Sequence, residues 1–411
     1  MSDVLRREPR VRPDLTDGKP RLKVLDVGMM IAGPFCTTLL GDFGADVIKV
    51  ERPDGNGDRV RQQDWAWPLE GRNKRSITLD MRKPEGVELL LKLVDWADVF
   101  LENFKPGTMK KWGLDYETLS KRNPRLVYLS VSGFGQTGPN SPRPGYDHVA
   151  AAFGGLWYQT GYPDRPPVLP GIPIADYLAA TFAAVGVLEA LRRRDGPGGT
   201  GKGEWVELGL YEPIMRISNY HYTRYSLYGE AYERIGAMPI DGVEEAAMSQ
   251  PHGVAYETLD GRWMNVLPLQ PHQWDRMKQV IPDVDRPEFT HEALQKNLRA
   301  PDKYIRAWIK QRTLDQAMDA FTKADLPCSP IYSTQEIMDD PHVAARGNLI
   351  RAEDQYGREL VMQNVCPRFV GQPAEVRWAG EALGASNREV YCDLLGVSEE
   401  QLAKLAQGSV I

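Results

Sequence analysis

Cysteine is scarce in this chain and is not arranged for binding. The four that occur, Cys36, Cys328, Cys366 and Cys392, are scattered, and no CxxC pair is present. This spacing suggests neither a disulfide framework nor a zinc site, and it fits a reducing cytoplasm. Long apolar runs are also lacking. The longest, around Tyr177–Leu191, is rich in Ala and reads as too short to cross a bilayer. Met1–Arg21 is charged and contains Pro but has no apolar core, so no secretory signal is expected. Positive charge is not in excess: 50 Lys and Arg stand against 56 Asp and Glu, a net charge of −6. That balance argues against nucleic acid as a partner, although local basic clusters can still receive a small polyanion. The remaining composition, 42% hydrophobic and 26% charged, is that of a soluble globular protein, and 411 residues are enough for two domains.

The N-terminal half alternates strand and helix patterns. Strands are expected at Leu22–Val27, Ala45–Glu51, Ser76–Asp80, Asp98–Asn103 and Leu126–Val131. Helices are expected from Pro34 to about Phe43 and over Lys83–Trp96. Such alternation implies an α/β fold with a Rossmann-like parallel sheet. Ligands of these sheets bind beyond the carboxyl ends of the strands, where Glu51, Asn103 and Ser132 lie. The Gly-rich turn Asp195–Gly203 leads into a strand over Glu204–Leu210, and it lacks the Lys-Ser/Thr helix start of a phosphate loop. A helical segment follows near Glu212–Leu227, then an irregular crossover over Tyr228–Pro251. A β-hairpin is expected from Val254–Leu259 and Arg262–Leu267 around Asp260-Gly261. Helices are expected near His272–Val280, Lys303–Gln311 and Thr313–Ala324. Short strands at 349–370 and a helix near Asn387–Leu395 complete the chain. The organisation read from this is a large domain over 1–227, a smaller α+β domain over 228–332, and a return segment over 333–411 that completes the large domain.

One residue stands out chemically. Asp176 lies just ahead of an almost wholly apolar helical stretch that ends at Arg192-Arg193-Arg194. A helix apolar on nearly every face is normally buried. A carboxylate at its start meets free backbone N–H groups and the positive end of the dipole. Both favour ionisation and suit a desolvated but charged nucleophile. The same position also suits a plain helix cap.

Several long motifs resemble one family. Ile31-Ala32-Gly33-Pro34-Phe35-Cys36 is followed by Leu40-Gly41-Asp42-Phe43-Gly44-Ala45-Asp46-Val47-Ile48-Lys49-Val50-Glu51-Arg52-Pro53. Arg72-Asn73-Lys74-Arg75-Ser76-Ile77-Thr78-Leu79-Asp80, Ala97–Gly107, Ser132–Pro139, Pro144-Gly145-Tyr146-Asp147, Ile174-Ala175-Asp176 and Asp340–Gly347 follow in order. This series, spanning about 22–400, resembles the family III CoA-transferases, the formyl-CoA and carnitine CoA-transferase group. Segment 211–228 is most similar to the carnitine branch.

The resemblance implies that Asp176 is a covalent nucleophile. CoA would move from an acyl-CoA thioester to a free carboxylic acid through mixed anhydride and aspartyl-CoA thioester intermediates. Such chemistry needs no metal and no tightly bound cofactor, because coenzyme A arrives as substrate. Matching the family pattern residue by residue gives Ile31, Ala32, Arg52, Leu79, Arg82, Asn103, Phe104, Lys105, Lys111, Tyr146 and Asp147 as CoA-binding positions. Basic residues there would meet the phosphates, and Asn103 the pantetheine amides. The role of Asn73-Lys74-Arg75 is left open. The resemblance further implies an interlocked, ring-shaped homodimer in the cytoplasm.

Two other readings stand beside it. The α-methylacyl-CoA racemases resemble this family but place a His where Tyr146 stands, and a tyrosine is a poor base at neutral pH. A non-catalytic CoA-binding protein is the third. The chain departs from the formyl-CoA branch where a glycine run would form a lid, since it reads Leu267-Pro268-Leu269-Gln270-Pro271-His272-Gln273. It also has Ile31 where that branch has a Gln, and Gly384-Ala385-Ser386-Asn387 where Gly-Glu-His-Asn is frequent. Tyr211, Tyr220, Tyr222, Tyr225 and Tyr228, with Arg216, His221 and Arg224, are candidates for an acyl pocket. An Arg there would suit a dicarboxylic or carnitine-like acid.

Overall fold

Short strands with Val, Ile and Leu at their centres build one large sheet. The protein is described here from a computed structural model covering residues 5–6, 12–54, 57–218, 220–234, 236, 255–282, 287–296, 301–372 and 374–411. The sheet contains β1 (Lys23–Asp26), β2 (Asp46–Glu51), β3 (Lys74–Thr78), β4 (Val99–Glu102), β5 (Val127–Ser132) and β6 (Trp205–Gly209). Its order is β3-β2-β1-β4-β5-β6, all parallel. Parallel strands buried on both faces are expected to be apolar, as β4 and β5 largely are, whereas β1 and β2 carry the buried charges Asp26, Asp46, Lys49 and Glu51 among their apolar residues. β3 starts two residues earlier than its sequence pattern indicates, because Lys74 and Arg75 are buried inside the ladder.

The chain forms two compact units. The first holds Met1–Gly155, Gly171–Ile217 and Pro341–Ile411, and the second holds Leu156–Pro170 and Ser218–Asp340. Leu156–Pro170 therefore groups with the second unit, although the sequence places it within 1–227. In the first unit, one sheet face packs Leu25, Ile48, Ile77, Phe100 and Tyr128 against Leu90, Leu93 and the C-terminal Val390, Tyr391 and Val410. Helices α1 (Pro34–Asp42), α2 (Trp67–Glu70), α3 (Pro84–Trp96), α4 (Asp147–Phe153) and α5 (Ile174–Asp195) surround the sheet. The segment expected as a helix near Asn387–Leu395 is a π-helix over Glu389–Leu394.

Helix α5 differs from its sequence reading in two ways. It has 22 residues, long and apolar enough by composition to span a bilayer rather than too short. Nor is it buried all round. Ala175, Ala179, Ala183, Val187 and Ala190 are buried, while Val185 is 64% exposed and Leu188 53%. Small residues let the helix approach α1, β5 and β6 closely and leave the bulkier ones outside.

In the second unit Tyr256–Glu257 and Trp263–Val266 pair antiparallel about Asp260-Gly261, as the hairpin pattern indicates. Cys328–Pro330 adds a third strand that the sequence pattern does not reveal. Its core joins Tyr256, Met264, Trp274, Ile305 and Phe321. Val254 and most of the expected crossover, from 237 onward, lie outside the described residues.

A buried charge cluster ties β1, β2 and β3 together at the end where the ligand loops leave. Lys49 Nζ stands 3.1 Å from Asp58 and 3.6 Å from Asp26, and Lys74 Nζ stands 3.1 Å from Asp26. All four side chains are 0–1% exposed. Burial pushes the Asp26 carboxyl up, but Lys49 and Lys74 together outweigh it and hold it below its ordinary value. Burial likewise works against the Lys49 ammonium, and Asp26 and Asp58 more than offset it. Removing one member of such a cluster strands a charge in low dielectric. Lys49→Met is therefore expected to cost about 3–5 kcal/mol, read as a lower urea midpoint.

Candidate active site

The strand order reverses between β1 and β4, so the loops leaving these two strands diverge and open a crevice. The loop after β1 is held from several sides. Gly28 N donates to Asp26 Oδ1 at 3.0 Å, and Lys49 donates to the Gly28 carbonyl. Met30 N donates to both Asp58 oxygens at 3.0 Å, and Met30 takes a left-handed φ of 63°. Gly28 and Gly33 allow close passage: a Cβ on either would fall within 2.9 Å of Leu101 Cδ2.

Asn103 does not extend an open amide into the crevice. Its Oδ1 accepts from Met29 N and its Nδ2 donates to Met29 O, both at 2.7 Å. Its amide is thus engaged in fixing the Gly28–Met30 loop.

The cleft at this crevice is lined by Gly28, Met29, Arg52, Leu79, Arg82 and Phe104, among others. Four of the sequence candidates, Arg52, Leu79, Arg82 and Phe104, are therefore brought together. Arg52 pairs with Asp54 and Arg82 with Asp80 at 2.8 Å, so both guanidiniums are already oriented at the rim. Trp112 joins the wall edge-on to Phe104, with ring centroids 5.3 Å apart. Lys105 lines a neighbouring cavity with Glu102, Lys110, Tyr116 and Trp205. Lys111 is exposed and lines neither of these cavities. The Asn73-Lys74-Arg75 cluster faces inward: Asn73 donates to Asp42, Lys74 to Asp26, and Arg75 pairs with Glu389 at 2.7 Å.

Asp176 lies on α5, and the loop after β1 leads toward it. Ile31 and Ala32 precede α1, which packs on α5, and Phe35 of α1 meets Tyr177 edge-on at 4.8 Å. Asp176 is not the helix cap. Pro173 holds that position and Asp176 sits in the first turn. The first-turn N–H groups are taken by another carboxylate: Asp147 Oδ1 accepts from Ala175 N at 2.7 Å and Asp176 N at 3.1 Å. Asp147 is thus a cap supplied from α4 rather than a cap of its own helix.

Backbone contact delivers that cap. Gly133 follows β5 and Gly145 precedes Tyr146, and a Cβ on Gly133 would fall 2.6 Å from Gly145 Cα. Two side-chain-free residues let the loop cross β5 closely enough to set Asp147 over α5. Tyr146 itself points outward, 70% exposed, rather than packing as an ordinary core aromatic.

These contacts reverse the expected protonation of Asp176. Burial, then the charges of Asp147 and Glu70, push its carboxyl up to about 7. The amides that would favour its ionised form already serve Asp147. Glu70, at the end of α2, is 3% exposed and accepts from Tyr177 Oη at 2.8 Å. Neither Glu70 nor Tyr177 is marked in the sequence, except that Tyr177 adjoins Asp176.

The segment expected to form an acyl pocket is split. Tyr211 packs against Phe134 and Phe153, while Tyr220, Tyr222, Tyr225 and Tyr228 are exposed. Arg224 pairs with Glu230 at 2.7 Å, and His221 stacks on Tyr232.

The raised proton affinity of Asp176 affects stability. The folded state binds this proton more tightly than the unfolded chain, whose value is near 3.8. Stability contributed by the protonated form is present at low pH and is lost as pH rises from about 4 through about 7. Asp176→Asn removes that loss. At pH 8 it is expected to be more stable than the wild type by about 2 kcal/mol, after discounting for partial exposure. The gain should shrink towards zero at pH 4–5 in thermal unfolding.

The CoA-transferase family III model matches residues 21–387. The succinyl-CoA–D-citramalate CoA-transferase of Chloroflexus aurantiacus is 41% identical over 404 residues, covering 95% of this chain and 97% of that protein. The succinyl-CoA–L-malate CoA-transferase alpha subunit of the same organism is 37% identical over 407 residues, covering 95% and 92%. Among solved structures, a CAIB/BAIF family protein from Brucella suis superposes with a TM-score of 0.77 at 29% identity, covering 91% of this chain and 98% of that one. The match runs through the sheet, the crevice loops and the Asp176 helix alike, and the chain belongs to CoA-transferase family III.

Proposed function

We propose that this enzyme moves CoA from succinyl-CoA to a small hydroxy-dicarboxylic acid of the citramalate or malate kind, with Asp176 as covalent nucleophile. The observation that carries the reading is a carboxylate on the first turn of α5, whose free backbone amides are already capped by Asp147 of α4. The relatives named for succinyl-CoA with citramalate or malate cover nearly the whole chain and supply the substrate class.

The Asp176 carboxylate attacks the thioester carbonyl, and CoA leaves as thiolate. The resulting mixed anhydride joins the donor acyl group to Asp176. The thiolate then attacks the aspartyl carbonyl and expels the donor acid as its carboxylate. An acceptor carboxylate repeats these steps in reverse and departs as the new CoA ester, returning Asp176. The thioester's energy stays in covalent form throughout, and one difficult exchange is split into easier ones.

Each attack develops an oxyanion that calls for N–H donors. Ile31 and Ala32 stand at the end of the clamped loop, where their backbone N–H groups have no partner among the described residues. We assign them that role. Arg52, Leu79, Arg82 and Phe104 would hold the nucleotide end of CoA, with Phe104 offering a ring to the adenine and the two arginines meeting phosphate. Tyr146, exposed beside Asp147, would close over the acyl portion.

The outer stripe of α5, with Phe182, Val185 and Leu188 exposed, supports self-association, because monomers seldom leave a helix face this apolar in water. Sedimentation should show a dimer, and a stable monomer at micromolar concentration would remove that part of the proposal.

The principal test is mass spectrometry after mixing with succinyl-CoA and trapping with borohydride or hydroxylamine. An adduct mapped to Asp176 is expected, and Asp176→Ala should lose it together with at least about 10³-fold in turnover. Solvent deuterium entering an α-position without any adduct would instead indicate a racemase. The unbound Asp176 must ionise to attack, so kcat/KM should rise with pH through about 7.

A further inference from the structure

Glu70 is the one buried acid beside Asp176 that the transfer steps leave without a task. It is 3% exposed at the end of α2, wedged between α1 and α5. Thr38 Oγ1 of α1 donates to its backbone carbonyl at 2.9 Å. Tyr177 Oη of α5 donates to its Oε1 at 2.8 Å. Its Oε2 is buried and has no hydrogen-bond partner among the described residues. A buried carboxyl oxygen left unsatisfied is costly, and a purely structural link to Tyr177 would be met equally well by a neutral amide.

We propose that Glu70 is a positioning residue for the nucleophile: it fixes Tyr177, and with it the first turn of α5, and it sets a second carboxyl beside Asp176. This inference rests on the reading of Asp176 as the nucleophile. Tyr177 is the next residue after Asp176, and its ring is gripped by Phe35 edge-on at 4.8 Å and by Glu70 at its hydroxyl. Rotation of the first turn would break both contacts. The carboxylate is thereby aimed before substrate arrives, which is the geometric part of catalysis.

The charge of Glu70 acts on the same group. The groups facing Asp176 are Asp147 on α4 and Glu70 on α2, and His148 stands 3.9 Å from the far oxygen of Asp147. Burial raises the Glu70 carboxyl above its ordinary value, while the Tyr177 hydroxyl and the charges of Lys74 and Arg72 act to keep it ionised, and Asp58 opposes them. Burial is the main cause that raises Asp176, and Asp147 and Glu70 add to it. Removing the Glu70 charge while keeping its shape should release the Asp176 proton at lower pH.

The test compares Glu70→Gln, Glu70→Leu and Tyr177→Phe with the wild type. Water-soluble carbodiimide with glycinamide labels protonated carboxyls, and peptide mass spectrometry reads Asp176 without any CoA ester. In Glu70→Gln the labelling midpoint is expected to fall by about one pH unit. Rapid-quench trapping with succinyl-CoA gives the plateau rate of adduct formation at high pH. Glu70→Gln should keep that plateau, whereas Glu70→Leu and Tyr177→Phe should lower it on the order of 10-fold. A Glu70→Gln midpoint equal to the wild type, or a Tyr177→Phe plateau equal to the wild type, would overturn the proposal. A wild type that forms no adduct while its labelling midpoint still shifts in Glu70→Gln would fail the transferase reading and uphold the electrostatic link.

Discussion

The rest of the site depends on a cluster of four buried charges under one loop. Asp26, Lys49, Asp58 and Lys74 sum to zero, and each is desolvated. Replacing such a cluster by apolar residues often leaves a protein no less stable, so stability alone does not account for it. Its geometric consequence is specific. Asp26 and Asp58 accept from the Gly28 and Met30 amides, and Lys49 donates to the Gly28 carbonyl. A left-handed backbone at Met30 costs on the order of 1–3 kcal/mol and persists only where its surroundings over-determine it. Here they do, and the loop that leads to Ile31 and Ala32 is fixed before α1 begins.

The second constraint is the placing of acids against each other. A helix start has few free amides, and Asp147 accepts from those of Ala175 and Asp176. Asp147 itself is 7% exposed. Asp176 is then left with burial and like charge, and its proton affinity rises accordingly. A helix N-terminus therefore does not by itself acidify a carboxyl on its first turn; the outcome depends on which acid reaches the amides.

Much of this was legible in the sequence and some was not, for physical reasons. The parallel sheet could be read because short Val-, Ile- and Leu-rich segments at β1, β2, β4 and β5 alternate with helical patterns. β3 was read two residues late because Lys74 and Arg75 look like surface residues, and only the three-dimensional pairing with Asp26 and Glu389 explains their burial. Asp176 could be found from its motif, but its electrostatics could not, since Asp147 and Glu70 lie 29 and 106 residues away. Asn103 was placed correctly at a strand end, yet its partner Met29 is 74 residues distant, so its bracing of the loop could not be read. The altered tail motif shows the same limit. Ser386 donates to Glu381 at 2.7 Å and Asn387 accepts from Thr78 N at 2.8 Å, so these residues stitch the C-terminal segment to β3.

The elevated proton affinity of Asp176 has a consequence for the intermediates of the proposed reaction. In the mixed anhydride the CoA thiolate can attack either carbonyl, and the carboxylate expelled is preferentially the weaker base. Dicarboxylic substrates carry acids of ordinary strength, near 4. A buried Asp176 held near 7 is the stronger base in place and the poorer leaving group. In the first half of the proposed reaction this would favour attack at the aspartyl carbonyl, with departure of the substrate acid, over collapse back to the starting thioester. The same preference would oppose expulsion of Asp176 from the acceptor anhydride in the second half, so it would favour the enzyme thioester in both halves rather than one direction of net transfer. In the return half the aspartyl thioester must give up its thiolate to an acceptor, and the nearby carboxyls of Asp147 and Glu70 then matter less, because esterified Asp176 carries no charge to repel. Repulsion acts on the free nucleophile and vanishes in the covalent states, which lowers their energy relative to the resting enzyme.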